Sequence, residues 1–414
     1  MRRGSRYNSD LRTTTMAFTS AGLAVFCLLL AVAALSSAAL IGRQSRFYHS
    51  LIDSEIAASR FHAIDGFRGY LAVGVMLHHL AINHHFYRTG AWELTPSHLS
   101  TLLGRGSVAF FFMITAFLFS GRAIDNDGRI DTLKFYLGRM RRLVPMYLTS
   151  VALLVITALA LTHFRLNVAP ADLARQILAW MFFTFPGYPD INGYRQTALI
   201  NTVFWSLVYE WKFYILLPFV AALSTNRRWW FIAPIACVCI LLLSTSQLEW
   251  FFLAGAAAAA LVRLPFIRRY AATGAGSAIV VFFVCATSFY QPLIYTPVGA
   301  ALLTVPFIII GAGNSLFGLL TCRAARMLGV LSYSVYLLHN WVLYLASRLV
   351  NHFVPVAAIS LWAYGCLALA VVATTVLAAA VTYRFVEYPV IHSGLRLPMR
   401  RRRERADRPS ANLP

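Results

Sequence analysis

The residues able to do chemistry in this chain sit where hydrophobic side chains surround them. The segment RFHAIDGFRGYLAVGVMLHH carries Asp65, Arg68, His78 and His79. Histidine is the side chain that takes or gives a proton near neutral pH, and arginine offers a planar fork of donors to phosphate or carboxylate. Arg68 and His79 stand eleven residues apart. On a helix that interval is about 1100°, three turns plus about 20°, so both lie on one face about 16 Å apart. Asp65, three residues before Arg68, can pair with it. An ion pair at one mouth and a histidine near the midplane suit a long substrate threaded inward. A snorkelling arginine with a histidine bonded to a neighbouring helix is the structural alternative. His78 lies about 100° around the helix and is expected to tolerate change far better than His79.

Four further segments add polar groups. YLGRMRRLVPMY sets Arg139, Arg141 and Arg142 before an apolar run, with Pro145 in its first turn. Arg139 and Arg142 are i,i+3 neighbours able to grip phosphates, although anchoring at a membrane face also explains such clusters. NTVFWSLVYEWKFYILLP places Trp205, Glu210 and Lys212 in or near a span, where a carboxylate must face a cavity or a cation; orienting an imidazole is one task open to it. LGVLSYSVYLLHNWV carries Ser332, Tyr333, Tyr336 and His339, with His339 about 16 Å along its helix and so at a depth similar to His79. In YRFVEYPVI, Glu387 reads as half of a local salt bridge.

The elements that must position these residues follow from composition. The 414 residues are 59% hydrophobic and 12% charged, where soluble domains carry about 25% charge. That excludes an ordinary soluble enzyme, a disordered chain and a disulfide scaffold. Apolar runs predict eleven helical spans, near 16–41, 67–87, 107–121, 143–163, 203–223, 229–245, 248–262, 275–291, 297–312, 328–350 and 356–384. The stretch 174–186 reads as interfacial or re-entrant. The net charge of +21 is almost all arginine, and membrane orientation explains it better than nucleic acid does. Alternate loops from residue 88 onward hold 21 basic residues against 6, which places the 122–142 loop and the C-terminal tail in the cytoplasm. The six cysteines form no CxxC pair, and no metal-ligand cluster is visible.

In order and spacing these segments resemble acyltransferase family 3, a family of integral membrane acyltransferases. The resemblance rests on DGFRG with His79 after Arg68, FFFMITAF, RMRRLVP, WSLVYEWKFY with Pro218, SYSVYLLH and FVEYP, and it covers roughly 60–390. It implies an all-α polytopic protein with a ten-helix core at 61–391; the extra N-terminal transmembrane helix within 1–60 and the basic tail at 392–414, read from the apolar runs and the charge, lie outside that core. It implies transfer of an acyl group, commonly acetyl, from cytoplasmic acyl-CoA to a hydroxyl of a carbohydrate across a bacterial inner membrane. The acceptor could be lipid-linked; no cofactor stays bound, acetyl-CoA being a co-substrate. Arg68 and His79 match the family's Arg-x10-His, and Arg139 and Arg142 its Arg-x-x-Arg. Thr115-Ala116 departs from the usual Ser-Gly, and no esterase-like domain follows the last span.

The expected site has His79, Arg68, Asp65 and Glu210 in catalysis, and Arg68, Arg139, Arg142, Ser332 and Tyr333 on acyl-CoA. His339 and Trp205 are expected at the acceptor or at a second midplane site. His79 would act as base or as transient acyl carrier, a choice the sequence leaves open. The competing class is a multispan transporter or flippase for an anionic or lipid-linked substrate; the absence of inverted repeats weighs against it.

Overall fold

The computed structural model describes residues 20–58, 61–223, 229–291 and 293–393. Arg2, Arg3, Arg6, Arg12, Arg60, Arg227, Arg228 and the arginines of the tail beyond 393 lie outside the described residues. The fold is all-α, and an isolated bridge between Ile191 and Tyr194 is the one extended pairing among the described residues. In chain order the helices are α1 (Ser20–Gln44), α2 (Arg46–Ala58), α3 (His62–Thr89), α4 (His98–Thr101), α5 (Ser107–Asp125) and α6 (Thr132–Leu161). There follow α7 (Pro170–Met181), α8 (Thr197–Ile200), α9 (Trp205–Leu223), α10 (Trp229–Leu243), α11 (Glu249–Leu261) and α12 (Pro265–Ala271). The last are α13 (Gly274–Tyr290), α14 (Pro297–Gly311), α15 (Arg323–Phe353), α16 (Leu361–Thr382) and α17 (Tyr388–His392).

Each of the eleven apolar runs coincides with a helix, so the protein is an all-α polytopic membrane protein. By length and composition, however, six described helices or continuous helical stretches suffice to cross a membrane, and seven if α11 and α12, bent by 102°, count as one. The histidines and arginines of α3 keep it out of that set, and α10, α13 and α14 are short. The stretch 174–186 holds the end of amphipathic α7 and the turns after it. Its Trp180 is buried, with its carbonyl accepting from Tyr147 Oη at 2.5 Å. One boundary moves substantially. α6 starts at Thr132, not near 143, because Asp131 caps it by accepting from Lys134 N at 3.1 Å. The Lys134 side chain, hydrogen-bonded to Asp131, holds that carboxyl below its ordinary range. Arg139, Arg141 and Arg142 are therefore helical, and Pro145 lies in the helix interior.

α3 and α15 run side by side in the same direction and divide two apolar cores. On one side α1, α2 and α16 pack against Met76, Leu80, Leu331 and Val335; on the other α5, α6, α9, α11 and α14 pack against Val75, Tyr333 and Tyr336. Backbone contact sets the register of this pair. A Cβ on Gly329 would fall 1.9 Å from the Asp65 carbonyl oxygen, and one on Gly69 would fall 2.6 Å from that of Ala325. Small residues let membrane helices approach this closely. Both glycines precede a histidine by ten residues, so His79 and His339 arrive at the same depth, about 15 Å further along.

Two short π-helical turns interrupt the α-geometry, at Leu102–Gly106 before α5 and at Tyr383–Glu387 after α16. Such turns admit one extra residue and re-aim side chains. The first carries Arg105 and the second Glu387.

Candidate active site

Two cavities lie along the α3–α15 pair. The first, about 440 Å³, is lined by Arg68, Arg122, Arg139, Arg141, Arg142 and Glu210, among others including Ser332 and Tyr333. The second, about 270 Å³, is lined by His78, His79, Arg105, Val203, Trp205 and Tyr295, with further apolar residues. Val108 of α5 and Tyr336 of α15 line both, so one residue layer separates the two. Tyr336 Oη is latched in that layer by Ser206 Oγ at 2.7 Å and by the Val203 carbonyl at 3.4 Å. The chain is unwound between α8 and α9, and Asn201 secures this stretch by donating to the Leu337 carbonyl at 2.7 Å and Ser150 Oγ at 3.0 Å. Irregular backbone inside a membrane protein is tolerated where it lines a cavity.

In the first cavity the cations are held in fixed places. Arg142 Nη1 donates to Glu387 Oε2 at 2.7 Å, and Glu387 is 0% exposed and also accepts from Ser334 Oγ. A salt bridge is expected of Glu387 from the sequence, but its partner is not local: Arg142 lies in α6, 245 residues earlier in the chain. Arg139 lies with its guanidinium carbon 4.5 Å from the Phe119 ring centroid, a cation–π contact, and is hydrogen-bonded to the Tyr214 side chain, which leaves its remaining donors for a ligand. Glu210 accepts from Thr115 Oγ1 at 3.4 Å and from Tyr214 Oη. The Thr115 that departs from the family pattern thus supplies a hydroxyl to this carboxylate. Arg68 lines the same cavity, in electrostatic reach of Arg142, Asp65 and Glu210. Tyr333 Oη donates to the Leu143 carbonyl at 2.9 Å, whereas Ser332 Oγ, 1% exposed as a residue, has no hydrogen-bond partner.

In the second cavity His79 Nδ1 and His339 Nε2 are 2.7 Å apart, with rings stacked at 5.0 Å. His339 Nδ1 faces the Val335 carbonyl at 3.1 Å. A carbonyl only accepts, so neutral His339 carries its proton on Nδ1 and presents a bare Nε2. His79 must then donate from its own Nδ1, which leaves His79 Nε2 unprotonated. That is the state of a general base oriented by a second group.

The structure therefore separates residues that the sequence grouped. Arg68 and His79 share one face of α3 but open onto different cavities. Glu210 lies with the arginines and does not line the histidine cavity; the imidazole-orienting task falls to His339. His339 is 0% exposed and lines neither cavity, standing behind His79 while Trp205 stands in the wall. Asp65 sits in the first turn of α3 and lines neither cavity, as does Lys212, whose ammonium lies 4.7 Å from the Tyr209 ring centroid. His78 is not the neutral position expected. It lines the histidine cavity, its Nδ1 is 3.0 Å from Ser100 Oγ, and a Cβ on Gly104 would fall 2.2 Å from its ring.

Sequence reasoning gave no site role to Arg105, Arg122 or Tyr295, nor any to Tyr336 as a partition. Arg105 counted only as a loop charge, and the π-turn that aims it leaves no trace in apolar periodicity. Among the described residues, no group of three or more His, Cys, Asp or Glu side chains is placed to hold a metal ion.

The model of the acyltransferase domain family, of the type designated acyltransferase 3, matches residues 61–384. A Bacillus subtilis (strain 168) protein named "Putative peptidoglycan O-acetyltransferase YrhL" is 26% identical over 382 residues, covering 82% of this chain. The chain spans 56% of the length of that relative. No solved structure matches it.

Proposed function

From the premise that the chain belongs to acyltransferase family 3 and is an acyltransferase by that membership, we propose that it is an O-acyltransferase moving an acyl group, acetyl in the simplest case, from acyl-CoA to a hydroxyl of a carbohydrate. The observation that carries this reading is the single layer, Val108 and Tyr336, between an arginine-lined cavity and one holding a proton-free imidazole nitrogen. The phosphates of CoA dock on Arg68, Arg122, Arg139 and Arg141, because guanidinium forks match phosphate oxygens. Arg142, committed to Glu387, shapes the wall. The unpartnered Ser332 hydroxyl is available to an amide of the pantetheine arm. That arm is slender enough to carry the thioester past Tyr336 to the histidine side.

There the acceptor hydroxyl oxygen attacks the thioester carbonyl carbon while His79 Nε2 takes its proton. His339 holds the resulting imidazolium by accepting from Nδ1. The tetrahedral adduct collapses, the carbon–sulfur bond breaks, and CoA departs as a thiol with the proton His79 received. Direct transfer needs no covalent intermediate on the enzyme, so the base role is favoured over the acyl-carrier role. The basic asymmetry supports a reading in which the arginine cavity opens on the cytoplasmic side of a bacterial inner membrane, the side on which acyl-CoA is made. An envelope glycan is the acceptor class, in keeping with the relative's name. The transporter alternative is set aside by the family membership.

The test is acyl-CoA consumption by purified protein in vesicles, with and without an added glycan. His79→Ala is expected to keep acyl-CoA binding and to lose transfer by about 10²–10⁴-fold, the usual contribution of a general base. Near-normal transfer by a folded His79→Ala protein would remove the catalytic assignment.

A further inference from the structure

The histidine cavity contains a cation that the transfer chemistry leaves unused. Arg105, aimed into the wall by the π-turn Leu102–Gly106, donates from Nη1 to the Leu293 carbonyl at 3.1 Å. Its guanidinium carbon lies 5.0 Å from the Tyr295 ring centroid. A guanidinium has five N–H donors, and that carbonyl takes one of them. No Asp or Glu lines this cavity, and among the described residues no carboxylate lies within ion-pair distance of Arg105. The first cavity is the contrast, since Glu210 lines it and Glu387 pairs with its Arg142. Arg105 is half-buried and faces this cavity without a counter-ion, which leaves it open to an anion from elsewhere. A second open group lies beside it: the Tyr295 hydroxyl is buried and has no hydrogen-bond partner among the described residues. Trp205 meets the Tyr295 ring edge-on at 6.4 Å, completing an aromatic wall. The volume is just below the range of drug-sized pockets, which limits the occupant to about one ring with its substituents.

Building on the acceptor-side reading of this cavity, we propose that the acceptor sugar carries an anionic oxygen pair, a carboxylate or phosphate ester, held between Arg105 and the Tyr295 hydroxyl. A guanidinium fork binds such a pair with two parallel bonds and so fixes direction as well as position. Gripped there, the ring turns a neighbouring hydroxyl toward His79 Nε2. Arg105 thus selects and orients the acceptor, while proton transfer belongs to His79.

The test compares three matched pyranoses as acceptors for labelled acetyl-CoA in proteoliposomes: 4-nitrophenyl glucoside, 4-nitrophenyl glucuronide and 4-nitrophenyl glucoside 6-phosphate. The wild type should acetylate at least one anionic sugar with a kcat/KM about 10- to 150-fold above the glucoside, the range of charge-assisted hydrogen bonds. The glucuronide and phosphate arms tell carboxylate from phosphate. Arg105→Gln should bring the ratio close to one, and Arg105→Lys should retain part of it. A ratio is unaffected by partial misfolding, which lowers all three rates together. Equal kcat/KM for the three sugars in the wild type overturns the proposal. So does a ratio unchanged in Arg105→Gln, which would leave the discrimination to other residues. Transfer to the glucoside alone defeats the anion site and leaves the acyltransferase reading standing, whereas no transfer to any of the sugars defeats both.

Discussion

Replacing His339 by Phe tests the orientation of His79 without touching either cavity lining. His339 Nε2 accepts the proton on His79 Nδ1 at 2.7 Å, and His339 itself is anchored by the Val335 carbonyl. Phenylalanine fills a similar volume and offers no acceptor, so a buried N–H loses its partner at a cost of about 1–3 kcal/mol. His79 escapes that cost by moving its proton to Nε2 or by turning its ring, and either change removes the base. At about 1.4 kcal/mol per decade, kcat should fall about 5- to 150-fold. Acyl-CoA affinity should not change, because the arginine cavity lies beyond the Tyr336 layer. His339→Gln, whose side-chain oxygen can accept, should recover part of the loss. The assay is acyl transfer at saturating acyl-CoA, with affinity measured by calorimetry. Three results refute the reasoning: kcat within twofold of wild type for His339→Phe, no advantage of Gln over Phe, or an affinity loss that tracks kcat.

Arg139→Ala should weaken acyl-CoA binding by about 1.5–3 kcal/mol with little effect on thermal stability, since Arg139 rests on Phe119 and, among the described residues, pairs with no carboxylate; unchanged affinity would return it to membrane anchoring. Arg142→Ala should instead destabilise the fold by about 3–5 kcal/mol, because it strands buried Glu387, and Glu387→Gln in the same chain should recover part of the loss in a thermal melt. Tyr336→Ala should raise acceptor-independent acyl-CoA hydrolysis by opening the layer between the cavities, whereas Tyr336→Trp should suppress transfer while acyl-CoA still binds. Cysteine tagging should place residues 126–131 on one side of the membrane and 164–170 on the other; labelling from the same side would break the span assignment.

Depth was legible in the sequence; azimuth was not. Counting residues put Arg68 near one mouth and put His79 and His339 at one level, because helical rise is fixed whatever the neighbours are. Which way a side chain faces depends on how whole helices pack, and no single-chain periodicity carries that. Glu210 shows the difference: its depth permitted contact with the imidazole, and its rotation gives it to Thr115 and Tyr214 instead. His78 shows the reverse, since a position about 100° away still opens onto a cavity when the π-turn packs against it. The clearest missed signal was the glycine pair. Gly69 and Gly329, each ten residues before a histidine, mark where two backbones touch and predict that the histidines meet.

Those equal intervals work as two rulers laid from a common zero. The zero is the contact of Gly69 and Gly329 with the opposing backbone, and the reading is the height of His79 and His339, the proposed proton-transfer site. About 15 Å is half of the roughly 30 Å hydrocarbon layer, and this spacing between the glycine contact and the two histidines is set by the protein itself. A residue gained or lost in one ruler would lift its histidine about 1.5 Å and swing it about 100°, and the same change in both would turn both rings away. Between residues 69 and 79, and between 329 and 339, the chain is therefore length-locked.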